Sequence, residues 1–200
     1  SIEIDTEEHE PFPWGNRVRP LMEEHLGDAP TETAPRSLQI GKDSLPTDAI
    51  SIDTAKSIGS PMIGTGAIQP GHMDVHGRMA SSWIIGILSD SVPILLHSWR
   101  RKVAEEAGDV RVGAAVLEYR LRFHNWARAG DLYEIYSSLE GYQGKTHSLV
   151  HWVMNPATGK PWATTQITAV TLDLDARKAI PTSQTALDEL ERRAPKGLQI

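Results

Sequence analysis

The chain has no cysteine among its 200 residues. Disulfides, thiolate nucleophiles and cysteine-ligated zinc or iron–sulfur centres are thereby excluded. Phenylalanine is scarce, with 2 residues, and the 6 tryptophans read as core and interface anchors rather than as a special aromatic box. Basic residues are in the minority: 20 Lys and Arg against 26 Asp and Glu give a net charge of −6. That balance disfavours non-specific nucleic-acid binding, which needs basic surface to displace counterions, and it suits solubility. Long apolar runs are missing too, and none approaches the roughly 20 residues of a bilayer span. No basic and apolar leader opens the sequence, so a cytoplasmic location is the expectation. What is present is ordinary for a globular protein, with 40% hydrophobic and 23% charged residues. The length fits one large domain, or one domain with an extension.

Residues 1–60 differ from the rest. "PFPW", "GDAPTETAPRS" and "GKDSLPTDA" are rich in Pro, Thr, Ser and Asp and show little periodicity. Only "NRVRPLMEEHLG" and "DAISIDTAKSIG" can hold short helices. So much irregular chain is unusual inside a compact domain. The segment therefore reads as a linker or arm, or as a connector from a preceding domain, with the folded domain over 61–200.

From residue 61 the pattern tightens. "MIGTGAIQP" predicts a strand that ends at Pro70-Gly71. A helix fits 78–90, with Ile84, Ile85, Ile87 and Leu88 on one broad side and Met79, Ser82, Trp83, Gly86 and Asp90 on the other. Pro93 lacks an N–H and clashes with a preceding helical turn. Ser91 then reads as the cap of a second helix, with Pro93 in its first turn, Leu95, Leu96, Trp99 and Val103 inward and Gly108 past its end. After Gly108 the period becomes two: Ala115, Leu117, Tyr119, Leu121 and Phe123 alternate with polar or outward residues. "GDLYEIYSSLEGY", "THSLVHWVM" and "PWATTQITAVTLDL" repeat that pattern, with "NPATGK" as a hairpin loop holding Gly159 for a positive φ. "SQTALDELERRA" predicts a closing helix. Helical cover on one side of an antiparallel sheet is the α+β class. A curved antiparallel sheet wrapped around a long central helix is the hotdog arrangement.

The stretch "GHMDVHGRM" resembles the Asp-x-x-Gly-His-Val/Met segment before the central helix of hotdog-fold acyl-CoA thioesterases of the 4-hydroxybenzoyl-CoA type. "GAAVLEYRLRF", "RAGD", "KTHSLVHWVM" and "ATTQITAVTLDLDARKAIP" are similar to later strands of such enzymes, so the resemblance covers residues 61–175. The segment before it looks like the connector of tandem double-hotdog proteins, with this chain as the carboxy-terminal half. The resemblance implies hydrolysis of an acyl-CoA or acyl-carrier-protein thioester, without cofactor, by a homodimer or higher homo-oligomer whose sites are shared between subunits.

It also implies roles. Asp74 stands where one branch of the family has its catalytic aspartate, and Asp90 lies near the acidic residue of a second branch. A carboxylate buried beside Trp83 and Gly86 would have a raised pKa, which suits a general base. The backbone N–H of Gly77 or Arg78, at the helix start, is the candidate oxyanion donor, because first-turn amides lack intrahelical partners. His76, Ser82 and Trp83 are candidate substrate contacts. Arg120 and Arg122, with His124, Arg128 and Lys145 nearby, are candidates for coenzyme A phosphates. A structural reading stands beside each: Asp74 as an Asx-type cap, Asp90 as a bond to the Ser91 region, and the Arg120–Arg122 stripe as a solvated sheet face.

Metal binding is not expected. His147 and His151 lie on a strand, where four residues span about 13 Å, so one zinc with ~2.1 Å bonds cannot hold both. His72 and His76 precede the helix, so helical ligand spacing does not apply. A hydratase needs Asp-x-x-x-x-His, and Met79 stands at the histidine position. Arg78 where histidine is frequent, and Met79-Ala80-Ser81 in place of Val-Asn-Asn, keep a second reading open. In it, the chain is a catalytically silent hotdog module that binds an acyl thioester or serves oligomerisation.

Overall fold

The computed structural model describes residues 15–28, 30–33, 45–108 and 110–200, and it divides into two units, 1–40 and 41–200. Much of the expected arm, residues 1–14 and 34–44, lies outside the described residues. In the first unit a short helix, α1 (Arg19–Glu24), has Pro20 in its first turn, where a missing N–H costs nothing, and buries none of its side chains.

The second unit spans 41–200. Helix α2 (Ile52–Ile58) is delimited locally: Ser51 Oγ accepts the Thr54 N–H at 3.1 Å, and Gly59 closes the helix at φ +80°. Ile50, Ile52 and Ala55 are buried against Tyr136, Val150, Trp152 and Met154. Apolar content, rather than periodicity, ties this segment to the sheet.

Six strands form one antiparallel sheet: β1 (Met62–Ala67), β2 (Val112–Phe123), β3 (Leu132–Gln143), β4 (Thr146–Met154), β5 (Pro161–Asp173) and β6 (Lys178–Ile180). The order is β1-β3-β4-β5-β2, with β6 pairing the end of β5. Between β1 and β2 runs the central helix, α3 (Ser81–Ala107). A curved antiparallel sheet around one long helix is the hotdog fold, as the sequence predicts.

Two expectations change. First, α3 is one helix of 27 residues rather than two. A proline in a helix interior costs about 3 kcal/mol, but Ile84, Ile87, Leu88, Leu95, Leu96, Trp99 and Val103 are all buried along α3, each worth roughly 1.5–3 kcal/mol. Packing wins. Pro93 lies on the exposed side, and Ser91 Oγ donates to the Ile87 carbonyl at 2.7 Å instead of capping a new helix. Second, the alternation in β2 breaks. The pairing with β5 shifts between Val116 and Glu118, and this bulge leaves Leu117 56% exposed.

The sheet is covered on both faces. Ile135, Leu139, Leu149, Val153 and Ile167 meet α3, and their alternating neighbours meet α2 and the chain end. Helix α4 (Gln184–Arg193), capped by Ser183 Oγ on the Ala186 N–H, buries Ala186, Leu187 and Leu190. The chain then crosses the edge of β3, where Ala194 O accepts the Leu139 N–H at 2.9 Å, and Gln199 O accepts Trp152 Nε1–H at 2.7 Å. No helix among the described residues is long and apolar enough to cross a membrane.

Close approach of α3 to β1 depends on Gly64. A Cβ there would lie 2.9 Å from Ser91 Cβ and 3.3 Å from Ile135 Cδ1. Gly64→Ala is expected to lower unfolding free energy by about 1–3 kcal/mol through overpacking, read from urea midpoints at unchanged m. An unchanged midpoint contradicts this packing.

His147 and His151 share the α3 side of β4, and neither ring has a hydrogen-bond partner among the described residues. Burial pushes both from 6.5 down to about 4. His124 also falls to about 4, through burial and then the Arg122 cation. Between those values the unfolded chain binds protons that the folded chain does not. Stability is therefore full above pH 6.5 and falls as pH drops toward about 4. Each fully buried histidine contributes a slope of up to ~1.4 kcal/mol per pH unit. Urea titrations from pH 7 to 5 should show this loss, with a shallower slope in His151→Leu. Equal slopes in the two proteins contradict it.

Candidate active site

The site is built at the junction of a tight loop and the start of α3. Gln69 N–H donates to His72 Nδ1 at 3.2 Å, and the His72 ring stacks on Trp83 with centroids 4.1 Å apart. Met73 and Met79 then pair as an antiparallel bridge, which closes the residues between them into a hairpin-like loop. Asp74 organises that loop. Its N–H donates to Arg78 O at 2.7 Å, and its carbonyl accepts the Gly77 N–H at 3.1 Å. Its Oδ1 accepts the N–H groups of His76 at 2.8 Å and Arg78 at 3.0 Å. Gly77 sits at φ +68°, in the left-handed region that a side chain would disfavour.

The loop docks on the β2–β3 connection. Met79 N–H donates to Ala127 O at 3.1 Å, and Gly130 N–H donates to Ile68 O at 2.9 Å. The Arg78 guanidinium lies 5.7 Å from the Trp126 ring centroid, and Trp126 stacks on Phe123 at 4.8 Å. Arg128 N–H donates to Asp131 Oδ2 at 2.7 Å, which fixes the Arg-Ala-Gly-Asp turn.

These contacts relocate the expected donors. Gly77 belongs to the turn and not to the helix, and the amides of Gly77 and Arg78 are both engaged by Asp74. The helix begins at Ser81, after an extended Ala80 N-cap that makes no side-chain cap bond. Trp83 N–H returns to Ala80 O. Among the described residues, the amides without a backbone partner at the helix tip are those of Ser81 and Ser82, backed by the dipole of 27 aligned peptides. Ser81 was not among the candidate site residues read from the sequence. The available signal was Gly77 itself, since an Asp-x-x-Gly run closes a turn before any helix can start.

The two aspartates are not brought together within the chain. Asp74 is exposed at the loop. Asp90 lies nine residues past Ser81, roughly 14 Å along the helix axis, and it is exposed rather than buried among Trp83 and Gly86. Its charge reaches Tyr133, whose hydroxyl is pushed up first by burial and then by Asp90. His76 is half-buried in the loop and Ser82 exposed on the first helical turn, while Trp83 holds the His72 ring. Arg122 is turned elsewhere: its Nη1 donates to Leu45 O at 2.8 Å. Arg120 alternates with Leu121 on the same side of β2 as Arg122. His124 bonds Thr47 and Thr164 at 3.0 and 3.1 Å. A cleft of about 830 Å³ lies near His124, Asp53 and Lys160, and it includes no residue of the Asp74 loop. No group of three or more His, Asp or Glu suited to a metal occurs among the described residues.

Comparison with known proteins agrees with this architecture. The chain resembles YbaW of Escherichia coli, a probable thioesterase, at 20% identity and a TM-score of 0.57 over 67% of this chain and 99% of that one. A Staphylococcus aureus protein solved in complex with CoA aligns at 14% identity and a TM-score of 0.59 over 70% and 90%. A 1,4-dihydroxy-2-naphthoyl-CoA thioesterase from Synechocystis aligns at 12% identity and a TM-score of 0.54 over 64% and 94%. Identities this low establish the fold. No curated protein matches the chain. The thioesterase-like superfamily model matches residues 68–190, from the start of the Asp74 loop through most of α4. The chain therefore belongs to the thioesterase-like superfamily, a hotdog protein whose class of chemistry is thioester hydrolysis.

Proposed function

We propose that this chain hydrolyses an acyl thioester of coenzyme A, or of an acyl carrier protein, at the Asp74 loop and the tip of α3. One observation carries the reading: a carboxylate held by two backbone amides stands beside a helix start without a side-chain cap. Oδ1 is fixed, and Oδ2 has no hydrogen bond among the described residues. Oδ2 can take a proton from water as that water attacks the thioester carbon. The Ser81 amide receives the developing oxyanion; such a donor is typically worth about 3 kcal/mol in the transition state. The C–S bond then breaks, the sulfur leaves with a proton, and the acid is released. Arg78, over Trp126 at the loop rim, is better disposed toward a coenzyme A phosphate than Arg122, whose Nη1 is held by the Leu45 carbonyl.

The same bonds favour the silent-module reading in one respect, since Asp74 also acts as an Asx-type cap. Two substitutions separate the roles. Asp74→Asn keeps the capping oxygen and loses the base: kcat is expected to fall about 10²–10⁴-fold with little loss of stability. Asp74→Ala loses both and is expected to destabilise by roughly 1 kcal/mol more. Free-thiol release from a panel of acyl-CoA substrates provides the readout. No turnover by the parent chain, with coenzyme A binding retained, contradicts the enzymatic reading.

We further propose a homodimer joined edge to edge through β2. This 12-residue strand pairs only with β5 among the described residues, and its bulge exposes Val116 and Leu117. A long edge with open amides and carbonyls is a template for a second copy. In such a dimer an acid of one subunit can serve the loop of the other. Light scattering is expected to give twice 22.0 kDa, and Leu117→Lys should shift it to the monomer. A parent protein monomeric at all concentrations contradicts the pairing.

A further inference from the structure

His72 is tied to the start of α3 and to the loop before it at three points. Its carbonyl accepts the N–H of Ala80, the N-cap residue of the helix, at 2.8 Å. Its Nδ1 accepts the Gln69 N–H at 3.2 Å. Its ring lies on Trp83, with centroids 4.1 Å apart and planes 30° apart. An accepting Nδ1 leaves the ring proton on Nε2, so the bond fixes one tautomer and one ring plane. The anchor behind Gln69 is firm. Ile68 is 1% exposed, and its N–H and carbonyl bond Asp131 O and Gly130 N–H at 2.8 and 2.9 Å.

These contacts answer a gap in the sequence. The N-cap of α3 is an alanine, which has no side chain to bond the first-turn amides. Uncapped helix ends fray, and a frayed end scatters the amides it presents. A side-chain cap would hold the end but occupy an amide. The His72 ring takes a different route. It grips the third helical residue, Trp83, from outside the helix and leaves the Ser81 and Ser82 amides open. Aromatic pairs favour a narrow range of separation and tilt, so a fixed imidazole fixes the first turn.

We propose that His72 is a positioning residue: its ring, held by Gln69, clamps Trp83 and so sets the Ser81 and Ser82 amides beside the Asp74 carboxylate. The proposal rests on the thioesterase reading, in which the Ser81 amide meets full negative charge only in the transition state. Loss of the clamp therefore lowers kcat and spares KM. A donor misplaced by about 1 Å is enough for a loss of about 10²-fold.

The test compares free-thiol release from acyl-CoA substrates by the full chain and by four variants. His72→Ala is expected to lower kcat about 10–100-fold, with KM within about threefold of the parent. His72→Phe keeps a ring on Trp83 and should restore most of kcat, whereas His72→Asn keeps a short acceptor without a ring and should restore little. Trp83→Ala added to His72→Ala should lower kcat no further, because both substitutions break one contact. Amide hydrogen exchange supplies a readout independent of turnover. The Ala80 and Trp83 amides should exchange at least about tenfold faster in His72→Ala and recover in His72→Phe, with the β4 amides unchanged as the control for folding. An active parent whose kcat survives His72→Ala, or whose loss falls on KM, overturns the positioning role and leaves the thioesterase reading standing. Additive losses in the double variant, or unchanged exchange at both amides, overturn the clamp. No turnover of any thioester by the parent sinks the thioesterase reading and the positioning role with it.

Discussion

Everything at the site depends on the burial of α3 against one face of the sheet. The apolar side chains from Ile84 to Val103 hold a single helix through Pro93. They fix where the helix starts, and hence where its first amides lie. The loop before it is then bound from both sides. It bridges to itself through Met73 and Met79, and to the β2–β3 connection through Ala127. A carboxylate so placed needs no burial to be oriented. Backbone donors orient it at the surface, which leaves it accessible to water and substrate.

The cover on the second face has a different role. Residues 45–60 and the last residues of the chain seal Tyr136, Val150, Trp152 and Met154. Strand β4 is thereby buried on both sides, and its inner side carries two histidines whose ring nitrogens have no hydrogen-bond partner among the described residues. An apolar layer would be cheaper there, since unpaired polar groups penalise the fold.

Much of this was legible in the sequence. The period-two runs gave β2 to β5, Gly159 and Gly108 marked turns, and the run "SQTALDELERRA" marked α4. The hotdog order followed from one buried helix preceding those strands. The misses have physical causes. Pro93 outvoted the apolar stripe on paper because local rules are visible in sequence and tertiary burial is not. Leu117 fitted the alternation, but a bulge is a property of two strands and needs the partner's register. Strand β6 is three residues long and has too few side chains for a period. Asp74 was picked out from the motif, yet its neighbours' amides were assigned to the helix, because an αL glycine turns the chain one step before helical geometry begins. Nothing in the spacing of His72 and Trp83 announces that their rings stack; only the loop folded between them joins the two.

The central claim is that a thioester carbonyl lodges at the tip of α3 beside Asp74. A crystal structure with a non-hydrolysable thioether or ketone analogue of an acyl-CoA tests it most directly. The account predicts the analogue's carbonyl oxygen about 2.7–3.1 Å from the Ser81 amide, with a carboxylate oxygen of Asp74 facing the carbonyl carbon. An analogue bound in the cleft near His124 and Asp53, with the Asp74 loop empty, would contradict it.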